Sequence, residues 1–146
     1  MKVQFKPGQM LPTFDYTVTV LNKLKAQHSA TKQDVWFKTV VDNCAWTSTI
    51  VRSVAGTTVS VGSSYIVRIP KDSRYRPYSE WIKDNQGFTF STGDYLILGE
   101  IEEEIITPQT VITLVQKYRP NACEIRSFKD NTGTIELAEH YHLEGV

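Results

Sequence analysis

The chain has 146 residues, 40% hydrophobic and 22% charged, and its 16 lysines and arginines balance 16 aspartates and glutamates. That length suits one domain with a core of its own, and the zero balance argues against a general nucleic-acid binder, which carries a basic surface. Cys44 and Cys123 lie far apart with no CxxC pair, which excludes a secreted disulfide framework or a zinc ribbon and reads as two reduced, packed thiols.

Residues 1–12, punctuated by Pro7, Gly8 and Pro12, read as an irregular N-terminal arm, with 13–146 as a single β domain. The arm lacks the apolar stretch of a signal peptide, and no run of about 18 apolar residues is present to cross a membrane. In FDYTVTVLNKL, Phe14, Tyr16, Val18 and Val20 alternate with polar residues, the period of a half-buried strand. A polar connection, KAQHSATKQ, leads to a second strand from Asp34 to about Trp46, with Val35, Phe37, Thr39 and Val41 on one face and Trp36, Lys38 and Val40 on the other. IVRSVAG or TTVSVG, then SSYIVRIP, supply further β-branched strands. Gly56 and Gly62 are read as their turns and Pro70 as a strand end.

Residues 71–87, KDSRYRPYSEWIKDNQG, break every period and form the longest predicted loop. FTF gives a strand and Gly93-Asp94 a turn. YLILGEIEEEI reads as a long strand with Tyr95 and Ile97 on one side and Leu96 and Leu98 on the other, so that apolar residues at successive positions imply burial on both faces. Thr107 and Pro108 open a predicted helix whose stripe is Val111, Leu114, Val115 and Tyr118, and Pro120 stops it. ACEIRSF and TIELAEHYHLEG follow as strands around a DNTG turn. The expectation is a mainly β fold, a small β-barrel or sandwich of about seven to eight strands, with one late α-helix and a long loop.

No glycine-rich phosphate loop, HExxH or GxSxG occurs, so no catalytic, cofactor or metal site is expected and the chain does not read as an enzyme. His140 and His142 share a strand face, but a metal would need a third ligand such as Glu136 or Glu144. Two surface clusters stand out. Arg74, Tyr75, Arg76, Tyr78 and Trp81 mix basic and aromatic side chains; such mixtures suit single-stranded nucleic acid and equally protein interfaces, where Arg, Tyr and Trp concentrate. Glu100, Glu102, Glu103 and Glu104 form the densest acidic run. It reads as a solvated strand end or, if copies ring an axis, as an acidic collar past which DNA slides without sticking.

The order of TVTVLNKL, DVWFKTVVDNCAW, YIVRIP, GDYLILGE, a short helix, EIRSF and HYHLEG, over residues 13–146, resembles a family of small head–tail connector proteins of Gram-positive tailed bacteriophages and prophages. The resemblance implies a stopper or head-completion role. Such a protein is a small β-barrel forming a homo-oligomeric ring below the portal and adaptor proteins. The ring retains packaged double-stranded DNA without reading its sequence and docks the tail. It implies a place in the virion neck, assembled in the bacterial host cytoplasm, with Trp36, Trp46, Tyr95, Tyr141 and Leu143 as scaffold. The roles of loop 71–87 and the acidic run are inferred from this chain alone, as is the expectation that the N-terminal arm and that loop make the inter-subunit contacts. A tail-terminator ring and a monomeric β-barrel binding module are the alternative readings.

Overall fold

Alternation at period two becomes strand β1, Tyr16–Leu24, with Val18 and Val20 buried inward and Leu21 buried on the opposite face. The computed structural model describes residues 15–133 and 139–146. The N-terminal arm, Phe14 and Glu136 therefore lie outside the described residues. The chain is mainly β. Strands β1, β2 (Val35–Ala55), β3 (Thr58–Pro70), β4 (Tyr95–Leu98), β5 (Ala122–Asn131) and β6 (His140–Gly145) close an antiparallel barrel in the order β1-β2-β3-β6-β5-β4. A 3-10 turn, Ala26–His28, and two short helices, α1 (Tyr78–Trp81) and α2 (Val111–Tyr118), complete the described elements.

Closure needs every strand to be paired on both sides, and the register supplies this. β1 pairs with β2 from Leu24↔Val35 to Tyr16↔Cys44 and with β4 from Val18↔Leu98 to Leu21↔Tyr95. β3 pairs with β6 only over Tyr65–Pro70. The barrel interior is solid. Val18, Val20, Val41, Val67, Ile69, Phe88, Phe90, Leu96, Ile125, Tyr141 and Leu143 fill it, as small barrels are filled by inward side chains.

A second apolar cluster lies outside the barrel wall. Leu21, Ile97 and Ala122 project outward and are covered by Ile101, Ile106 and the α2 residues Val111, Leu114 and Val115. This is the double-sided burial expected of YLIL: Leu96 faces inward and Ile97 lies under the helix. All five residues matched as scaffold join these clusters: Trp46, Tyr141 and Leu143 in the barrel, Trp36 and Tyr95 under the helix layer.

Four local expectations change. The long strand read through YLILGEIEEEI stops at Leu98, because the chain turns at Gly99 (φ 92°) and its carboxylates leave the sheet for the layer over it. Gly62 is not a turn; it sits inside β3 opposite Val51, where a Cβ would meet nothing within 4 Å. The separate strand read at IVRSVAG or TTVSVG is therefore absent; the two stretches continue β2 and β3 and are joined at the turn of Gly56, whose φ of 63° suits glycine. FTF makes one isolated bridge, Tyr75↔Phe88, because its phenylalanines turn into the barrel. The helix begins at Val111 with Thr110 at its N-cap, after a turn in which the Thr110 and Val111 amides donate to the Thr107 carbonyl.

Candidate functional site

One end of the barrel is closed by the segment that the sequence marks as a long loop. Tyr75 inserts its ring against Tyr141 (centroids 4.4 Å apart) and Phe90 (5.3 Å). The Arg76 amide donates to the Phe88 carbonyl and the Phe88 amide to the Arg74 carbonyl, at 2.9 and 3.2 Å. That approach needs Gly87, where a Cβ would stand 2.0 Å from the Arg74 carbonyl oxygen. Trp81, on α1, is 0% exposed and meets Phe37 edge-on at 5.4 Å. The loop is thus a plug, held by aromatic burial.

This changes the standing of the five basic and aromatic residues. Trp81 and Tyr75 point inward, a correction to their reading as interface side chains: large apolar rings beside an open barrel end gain more by filling it than by facing water. Arg74 donates to both Asp72 carboxylate oxygens and to the Val40 carbonyl. Hydrogen bonds from Arg74 hold the Asp72 carboxyl below its ordinary range, against the opposing effect of burial. Arg76 pairs with Asp84 and donates to the Glu80 carbonyl. The Tyr78 hydroxyl accepts from the Lys25 amide, and Lys25 lies over its ring at 5.5 Å. The cluster is brought together by the fold, but its members bind one another and their own barrel.

The acidic run splits in two. Ile101 is buried within it and anchors the segment to the helix layer. Glu103 accepts from the Tyr118 hydroxyl at 2.8 Å and pairs with Lys117, while Glu104 pairs with Lys38. Despite some desolvation, those bonds hold the Glu103 carboxyl below its usual range. Glu100 and Glu102 remain exposed, and Glu102 is close enough to Lys117 to add to the pull of Glu103 that raises its pKa.

Between β1 and the turn before β4 is a buried polar lock that sequence reading missed. Asp94, 1% exposed, accepts from Asn22 Nδ2 at 2.9 Å and from the Lys23 amide at 3.1 Å. Asn22 also donates to the Thr89 carbonyl and accepts from its amide, tying the plug to the wall. Desolvation pushes the Asp94 carboxyl up to about 6, although the hydrogen bonds from Asn22 and Lys23 oppose it. His142 meets Glu144 at 3.3 Å, and no group of three or more metal-ligating side chains assembles among the described residues.

The other end of the barrel carries the feature with no internal partner. Beyond Ser48 and before Tyr65, β2 and β3 leave the barrel and pair only with each other, from Thr49↔Ser64 to Ala55↔Thr58. Cross-strand partners share a face, so Ile50, Arg52 and Val54 stand with Ser63, Val61 and Val59. That face continues the inward side of the barrel, since Ser48 opposes the buried Tyr65. Its four apolar side chains, Ile50, Val54, Val59 and Val61, are exposed to between 57% and 74%. Fully burying one such side chain stabilises by roughly 1.5–3 kcal/mol, so the isolated chain leaves a sizeable driving force unused. The opposite face carries Thr47, Thr49, Thr58 and Ser60. Proline, lysine and charged pairs are the usual protection of bare strand edges; residues 47–64 hold one charged side chain, Arg52, and no proline. That near-absence of charge was the sequence signal for the hairpin, obscured by reading Gly62 as a turn.

Among the described residues no helix is long and apolar enough to cross a membrane. No curated protein and no solved structure matches the chain. The pattern of one family, described as a family of unknown function, covers residues 13–146, and the chain belongs to that family, DUF6751.

Proposed function

We propose that this protein is a structural component of a bacteriophage neck, a head–tail connector of stopper or head-completion type. It works as a homo-oligomeric ring, with portal or adaptor proteins on one side and tail proteins on the other. Double-stranded DNA passes through the ring, not through the solid barrel of any one subunit. The observation that carries the reading is the projecting hairpin with its bare apolar face. A two-stranded ribbon is marginal alone in water, and an apolar face of this kind marks an association surface. A rigid, filled barrel with one extension suits a subunit that must hold its shape within a ring.

Cryo-electron microscopy of the neck of the particle whose genes encode this chain tests the proposal. The expected result is a ring of copies between portal and tail, with each barrel fitting the density. Particles whose neck contains no density for the chain would overturn it.

A further inference from the structure

The register that fills the barrel also sets which side chains share its outer surface. Tyr65, Val67 and Ile69 of β3 lie in the interior, so Ile66, Arg68 and Pro70 point outward. Arg68 pairs with His142 of β6, and His142 pairs in turn with Lys129 of β5. Cross-strand partners share a face. Arg68, His142 and Lys129 therefore form one row across three adjacent strands on the outside of the barrel. Strand spacing puts the ends of that row about 10 Å apart.

The row lacks the carboxylates that cations on a sheet usually face. Opposite charges across strands stabilise a sheet and like charges oppose it. Elsewhere Lys38 meets Glu104, Lys117 meets Glu103 and Arg126 meets Glu124. Arg68 is half-buried, yet neither it nor Lys129 makes an ion pair or a side-chain hydrogen bond among the described residues. The row on one side holds Ile66, Glu144 and Ser127, and the row on the other Pro70, His140 and Asn131. They add a single carboxylate, Glu144, which His142 meets at 3.3 Å. This face is thus net positive on a chain whose overall balance is zero. The acidic run packs over β1 and β4 through Ile101, away from it.

We infer that the outer face of β3, β6 and β5 lies against the phosphate backbone of double-stranded DNA, with Arg68 and Lys129 on phosphate oxygens and His142 between them. This rests on the ring reading and names the side of each subunit that lines the channel. Contacts of this kind position DNA without reading its bases. Two phosphate contacts per copy give a salt dependence with a log–log slope of about −2. Such contacts are weak singly and repeated around a ring, which suits DNA that must be held and still slide.

Nitrogen-15 chemical-shift perturbation of the full chain by a short DNA duplex at low salt provides the test, because it locates weak contacts. The largest shifts are expected at 66–70, 127–131 and 140–144, fading as salt is added. The double variant R68E/K129E, with its fold verified by circular dichroism, should bind about tenfold or more weakly, while Lys83→Glu on the plug should bind as wild type. Shifts centred elsewhere, a double variant that binds like wild type, or no shift at the highest soluble DNA concentration overturn the assignment and leave the neck reading standing. Inorganic phosphate that reproduces the shifts at the same phosphate concentration shows a free-anion site and overturns the DNA contact. Absence of the chain from the neck overturns the ring reading whatever the titration gives.

Discussion

The barrel wall and the projecting hairpin are made from the same two strands and the same kinds of residue, yet only one of them buries what it carries. Within β3, Tyr65, Val67 and Ile69 are inside while Val59 and Val61 stand in water. The alternation does not change at Tyr65; the neighbours do, because β6 flanks β3 only from Tyr65 onward. Burial is therefore decided by what lies across from a strand, and a strand that outruns its neighbours carries its inward face out as an adhesive one. The plug shows the opposite case, in which a segment without strand periodicity is the more deeply buried.

The contrast can be broken most forcefully at the plug. Trp81→Ala should cost about 3–5 kcal/mol of unfolding free energy, as truncations of large buried rings do; urea titration reads this, and a loss under about 1 kcal/mol would mean that the plug is not packed. Next in size is the Asp94 lock. The folded state raises this carboxyl from 3.8 to about 6, so between those values the native chain binds the proton more tightly than the unfolded one. The stability gained is complete below about pH 4 and is lost as pH rises through about 6. The span corresponds to about 3 kcal/mol. Asp94→Asn should abolish that slope relative to wild type across pH 4–7; parallel curves would contradict the assignment.

Smaller effects sharpen the boundary. Tyr65 is the last buried residue before the hairpin, and its hydroxyl donates to the Pro120 carbonyl at 2.7 Å. Tyr65→Phe should cost about 1 kcal/mol, read by thermal or urea unfolding. Val61→Asp, four positions away on the same face, should change monomer stability by less than about 0.5 kcal/mol while abolishing self-association in sedimentation. A large loss of monomer stability from Val61→Asp would show that the hairpin packs on its own barrel, and the comparison would collapse.

The β character, the alternation along β1 and β2, the double-sided burial of β4 and the helix stripe are legible from the residues alone, because each is written in local periodicity; that β1 is buried on both faces, with Thr19 and Leu21 as covered as Val18 and Val20, is not. The residues alone also mark Gly56 and Pro70, where backbone chemistry is local. Long-range packing settles that Tyr75 and Trp81 lie inside, that Glu103 and Glu104 form ion pairs with Lys117 and Lys38, and that Asp94 is buried against Asn22 across 72 positions of chain. It alone decided where β2 and β3 lose their outer neighbours. Those outcomes depend on strand lengths and on which element closes over which barrel end, long-range facts that no window of neighbouring residues contains.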